Sequence, residues 1–169
     1  MTDAPKRRLD VERPYRRGVG ILLFNHAGQV FVGQRNDMAG SAWQMPQGGI
    51  DEGEEPDSAA HRELNEETGV PPNLAEIVGQ TSWIRYDLPE GLSQTAWKGR
   101  FRGQEQIWFA MRCVGTDADV DLDADGHAAE FRAWHWVAVA RLPTLAVPFK
   151  RGAYRRVLAE LAPLVHRTA

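Results

Sequence analysis

Gly48-Gly-Ile-Asp-Glu-Gly-Glu54 is followed, after seven residues, by Arg62-Glu63-Leu64-Asn65-Glu66-Glu67-Thr68-Gly69-Val70. Between the two runs, Glu55-Pro56-Asp57 has the marks of a helix start, with proline at the first helical position and an acid in the first turn. Gly69 supplies the stop and Pro71-Pro72 keeps the helix from resuming, so the pattern predicts a helix over Pro56–Thr68. Glu63, Glu66 and Glu67 then stand at i, i+3 and i+4. At about 100° per residue they share an arc roughly 100° wide, next to the apolar arc of Ala60 and Leu64. Like charges at these spacings repel, and without a cation they weaken the helix. Three glutamates alone would read as a solvated acidic face. The rest of the spacing overturns that reading. Seven identities (Gly48, Glu54, Arg62, Glu63, Glu66, Glu67, Gly69) are set, with Leu64 and Val70 as apolar positions. At roughly one in fifteen per identity, a chance match in such a chain is about one in a million. Hard oxygen donors with no Cys or His pattern beside them suit Mg²⁺ or Mn²⁺ rather than zinc.

Outward from this core, Gly18–Phe24 is a short apolar run ended by the turn-rich Asn25-His-Ala-Gly28, and Gln29–Gly33 resumes as a second strand of a hairpin. Further strands are expected at Ala75–Val78, Thr81–Tyr86, Gln106–Arg112 and Ala133–Val137. In the last, Trp134 and Trp136 alternate about His135, as in a half-buried strand. Asp87 to Gln104 is a loop too long for a simple turn. Arg151–Leu161 reads as a closing helix with apolar Ala153, Tyr154, Val157, Leu158 and Leu161. No repeat or low-complexity linker divides the chain. The fold class expected is α/β, a mixed β-sheet sandwiched between α-helices, over residues 15–162. Residues 1–14 read as a flexible basic arm and 163–169 as a C-terminal tail.

Composition narrows the function classes. The chain has 169 residues, 43% hydrophobic and 25% charged, which is a globular composition. No run approaches the 18 apolar residues of a membrane span, and Met1–Pro14 lacks the apolar core of a secretory signal. Cys113 is the single cysteine; it excludes an intrachain disulfide, fits a buried strand position, and points to the cytoplasm. A net charge of −3 argues against indiscriminate nucleic-acid binding, and no DNA partner is expected. The signs are nevertheless segregated. Acids crowd 51–67 and 117–125, while bases cluster at 13–17, 98–102 and 150–156. A polyanion bound through a divalent metal needs both kinds of surface.

The seven-identity pattern resembles the Nudix box, spanning residues 48–70, and matches it at every defined position. Further segments look like the bacterial RNA pyrophosphohydrolase and dinucleoside polyphosphate hydrolase branch of that family. They are Tyr15-Arg16, Trp43 to Ile50, Trp83 to Tyr86, Gln104 to Phe109, Glu130-Phe131 with Trp134 to Val137, and Phe149 to Arg156.

The resemblance implies a Nudix fold and a divalent-metal-dependent pyrophosphohydrolase. Gly48 to Gly53 would form the loop before the helix, the Gly48-Gly49 pair letting backbone approach metal and phosphate. Glu63, Glu66 and Glu67 would ligate Mg²⁺ or Mn²⁺, joined by the Gln47 backbone carbonyl and by Glu130 from outside the box. Glu67 is the favoured general base. Arg62 would pair with a carboxylate such as Glu54 and hold the loop to the helix. Arg16 and Arg35 match phosphate-contacting residues. Val147, Phe149 and Lys150 match positions that receive the first nucleotides; Phe149 and Tyr86 read either as base platforms or as core. Gln34 stands where relatives often carry a second arginine. The substrate implied is the 5′-triphosphate end of RNA, trimmed to a monophosphate, with dinucleoside polyphosphates as the alternative. A catalytically silent nucleotide- or RNA-binding module is the rival from another class, but it would have no need to keep every carboxylate.

Overall fold

A computed structural model describes residues 13–36, 42–124, 126 and 129–169. Residues 1–12 of the expected N-terminal arm lie outside the described residues. The elements run β1 (Tyr15–Phe24), β2 (Gln29–Arg35), β3 (Trp43–Gln44), β4 (Gln47–Gly49), α1 (Pro56–Thr68), β5 (Ala75–Gln80), β6 (Ile84–Asp87), α2 (Glu90–Ser93), β7 (Gly103–Cys113), β8 (Phe131–Ala138), α3 (Leu142–Leu145) and α4 (Arg151–Thr168).

β1 organises the sheet. It pairs in parallel with β7 along its whole length, from Tyr15 opposite Gly103 to Phe24 opposite Arg112. Its other side is shared: Gly18–Gly20 pair with β4, and only Phe24 pairs with β2, opposite Val30. The expected hairpin is therefore joined only at its turn. β2 leaves to pair antiparallel with β8 and β3, while β5 and β6 both pair antiparallel with β7. The strand expected at Thr81–Tyr86 begins three residues later, because Thr81 turns its hydroxyl to the Trp108 N–H at 3.0 Å.

Alternation along β1 feeds two cores. Val19, Ile21 and Leu23 face Ala59, Ala60 and Leu64 of α1, with Ile107, Phe109 and Met111 of β7. Leu22 and Phe24 face Tyr154, Val157, Leu161 and Val165 of α4, with Trp108. A strand buried on both faces reads as a continuous apolar run, which is why 18–24 does. Gly20 is required by this packing: a Cβ there would lie 2.2 Å from the Trp108 ring. The result is the mixed sheet between helices that the sequence implied.

α1 has the boundaries expected of it, and Gly69 at φ 77° caps it by donating its N–H to Asn65. Two expectations are corrected. Gly48 and Gly49 belong to β4, so the loop before α1 spans only residues 50–55. Residues 163–168, expected as a tail, are the last turns of α4. Pro163 lacks an N–H for the helix, yet complete burial of Val165 keeps the turn in place. Cys113 is buried at the end of β7.

Candidate functional site

α1 presents its acids around one clamp. Arg62 donates from Nε and Nη2 to the two oxygens of Glu54, at 2.9 Å each, and from Nη2 to the Gly49 carbonyl at 2.9 Å. Its Nη1 reaches Glu63 at 2.9 Å and Glu66 at 3.3 Å. A planar fork meeting a carboxylate in this way is both strong and directional. The pairing expected with Glu54 is present, and it ties the 50–55 loop to the helix. These bonds hold the Glu54 carboxyl down to about 2.

Glu63 lies against the sheet. A Cβ on Gly48 would stand 1.9 Å from its carboxyl carbon, so only glycine leaves room for it. Burial pushes the Glu63 carboxyl up, more than Arg62 pulls it down. Glu67, one turn on, is buried and accepts the Gln47 N–H at 3.3 Å. Burial pushes it well above the usual carboxylate range, Glu130 and Glu63 push it the same way, and Lys150 opposes them. Glu130 enters from just before β8, with Arg35 at 4.0 Å. Glu66 stays half-exposed on the solvent side of Arg62.

Carboxylates that raise one another's proton affinity, beside a backbone cradle only glycine permits, fit a divalent cation bound by hard oxygens. Among the described residues no three acids already converge into a finished cage. Glu63 and Glu66 are drawn onto Arg62, and Glu130 towards Arg35.

Next to the acids opens a cavity of about 450 Å³. Val147, Phe149 and Lys150 line one side, Arg35, Trp43 and Gln44 another, and Leu88, Leu92, Ala96 and Trp97 the third. Lys150 is buried, donates to Gln44 Oε1 at 3.2 Å, and carries the charge that acts on Glu67, so it joins cavity to acids. Tyr86 is backing rather than lining. It is buried with its ring 6.1 Å from Phe149, its hydroxyl accepts from Gln104 at 2.7 Å, and burial raises it to about 12. Arg16 crosses Gly49, where a Cβ would meet its Nη2 at 2.3 Å.

Sequence reasoning missed several neighbours. Gln104 and Gln106 are buried on β7, their side-chain carbonyls without a partner among the described residues, and Gln106 donates to the Gln47 side chain at 3.3 Å. The run of three polar residues, Gln104-Glu105-Gln106, opening an otherwise largely apolar strand was the available signal. Leu88, Leu92, Ala96 and Trp97 had none, because periodicity does not say where a long connection travels.

Residues 14–157 match the NUDIX domain. The RNA pyrophosphohydrolase of Rhodospirillum rubrum is 56% identical over 150 residues, 88% of each chain. That of Roseobacter denitrificans is 55% identical over 146 residues, 86% of this chain and 90% of its own. Among solved structures, a C. elegans Ap4A hydrolase binary complex superposes with a TM-score of 0.63 at 21% identity, over 88% of this chain and 98% of that one. The E. coli dihydroneopterin triphosphate pyrophosphohydrolase superposes with a TM-score of 0.64 at 18% identity, over 87% and 99%. At those identities the likeness is one of fold.

Proposed function

This chain belongs to the NUDIX family, and from that premise we propose that it removes pyrophosphate from the 5′-triphosphate end of RNA. It is a hydrolase of pyrophosphate bonds that works with a divalent metal ion. The observation that carries the choice of substrate is a largely apolar cavity, roomy enough for a nucleobase, joined through buried Lys150 to the acids of α1. Relatives at 56% and 55% identity that bear the name RNA pyrophosphohydrolase support it.

Glu63, Glu66, Glu67 and Glu130, with the Gln47 carbonyl, would hold Mg²⁺ or Mn²⁺. The bound cation supplies charge neutralisation and lowers the pKa of water. Arg62 keeps the 50–55 loop and two of the acids in register. Arg16, Arg35 and Lys150 hold phosphate oxygens, while Val147 and Phe149 hold the first base. Glu67 takes the proton from the attacking water at its carboxylate. Water adds to phosphorus and the phosphoanhydride bond breaks. The products are a 5′-monophosphate RNA and pyrophosphate.

The test is pyrophosphate and phosphate release from a short 5′-triphosphorylated RNA and from diadenosine tetraphosphate, with Mg²⁺, Mn²⁺ or chelator. Faster metal-dependent turnover of the RNA is expected. Turnover of the dinucleotide alone would keep the chemistry and overturn the substrate.

A further inference from the structure

The connection between β6 and β7 carries backbone strain. Trp97 (φ 49°, ψ 36°) and Lys98 (φ 58°, ψ 30°) lie in the left-handed region, followed by Gly99 at φ 71°. Among the described residues these two are the only non-glycine positions with positive φ. An L side chain avoids this region because its Cβ crowds the carbonyl oxygen. Two such residues in succession persist only where the surroundings over-determine them. Here Arg13 does much of that work. Its Nη1 donates to the carbonyls of Ser93 (2.9 Å) and Gly99 (3.1 Å), and its Nη2 to the Ser93 hydroxyl (3.0 Å). Phe101 adds an edge contact to the Trp97 ring at 6.0 Å.

The turn sets the Trp97 ring against the guanidinium of Arg16, 5.0 Å from its centroid. The same guanidinium rests on Gly49, where a Cβ would lie 2.9 Å from Cζ. Arg16 is half-buried. Among the described residues it makes no hydrogen bond or salt bridge; Glu63 and Asp51 act on it only through their charge, and the ring is what it rests against. The kind of partner matters. A carboxylate would occupy the N–H groups, whereas an aromatic face holds the cation and leaves its five donors free. Trp97 also lines the cavity, so it stands between the base-binding space and this cation.

The geometry assigns to Trp97 the positioning of Arg16: the left-handed turn presses an aromatic face onto the guanidinium so that its free N–H groups serve the substrate polyphosphate. This rests on the reading of Arg16 as a phosphate contact. Trp97 is thus a positioning residue whose effect passes through Arg16, and the strain is retained because it aims the ring.

The experiment is a double-mutant cycle on kcat/KM for 5′-triphosphorylated RNA, using Trp97→Ala, Trp97→Leu, Trp97→Phe, Arg16→Ala and the Trp97→Ala/Arg16→Ala pair. Losing the cation–π contact should lower kcat/KM about 5- to 10-fold in both the alanine and leucine variants, while phenylalanine retains most of it. In the Arg16→Ala background, Trp97→Ala should change kcat/KM by less than about twofold. An equal penalty in both backgrounds would mean that Trp97 touches the base directly, and wild-type activity in Trp97→Leu would mean that only bulk matters; either overturns the assignment. If Trp97→Ala fails to fold by circular dichroism, the leucine and phenylalanine variants, both bulky, carry the comparison. Should the wild type turn over only diadenosine tetraphosphate, the RNA reading falls and the same cycle runs on that substrate. With neither turned over, the cycle is read from ATP affinity by calorimetry.

Discussion

At the residue scale, Glu67 concentrates the tension of the site. It is buried on α1, meets the Gln47 N–H, and is pushed towards its protonated form by burial and by Glu130 and Glu63. A neutral amide of the same shape would relieve that without disturbing the packing. Glu67→Gln is therefore expected to unfold in chelator at or above the wild-type temperature, while turnover falls about 10³-fold from loss of a general base. A lowered Tm with near-normal activity would place the chemistry elsewhere. The acids and Arg62 were legible because they lie on one helix, where spacing alone fixes their common side. Glu130 came from resemblance, since nothing local ties it to α1. The partners of Gln104, Gln106 and Trp97 were not legible, because their nearness to Tyr86, Gln47 and Arg16 depends on which strands pair.

At the scale of elements, the β1–β7–β6 ladder carries a charge motif away from the site. Glu105 of β7 accepts from Arg17 of β1 at 2.8 Å and from Arg85 of β6 at 3.0 Å. Burial raises its carboxyl, but the two arginines together outweigh this and hold it below the usual range. The folded state thus binds this proton more weakly than the unfolded chain does. The resulting stability is whole above the unfolded value of about 4.5 and is lost as pH falls through the lower folded one. Both arginines are largely exposed, so the contribution is about 1 kcal/mol. Glu105→Gln should be less stable than wild type by that amount at pH 7, with the gap closing as the pH drops below 4.5 and shrinking in high salt. A gap that persists at pH 3 would locate the effect in packing. The type of the longer elements was readable from periodicity and turn residues, but the short strands β3 and β4, the short helices and the pairing were not. The hairpin read at 18–33 is mostly two strands that part, and β4 reads locally as a glycine loop, because only Gly18–Gly20 of β1 make it a strand.

For the whole molecule, the last helix is the lid of one core. Val165 is fully buried, and Gly28 at the β1–β2 turn sits within 4.0 Å of it, measured from where its Cβ would be. Ending the chain at residue 162 should cost about 2–4 kcal/mol in urea unfolding, from one valine and the packing around it. Unchanged stability would return 163–169 to the status of a tail. The layered architecture was legible from the order of apolar runs and helices, whereas the end of α4 was not, since Pro163 reads locally as a breaker and only the distant turn reveals its neighbour.

The parallel pairing of β1 with β7 also has a history in time. The ten residues of β1 leave the ribosome long before 103–112, the partners that stand 88 positions later. At roughly 5–20 residues per second, that is a wait of about 4–18 seconds with the most apolar strand unmatched. The acidic helix emerges within the same interval, so its charges are solvated while the strand beside it is still vulnerable to association. Nascent chains stalled before residue 103 should therefore be the species that chaperones hold, and release should follow once β7 is clear.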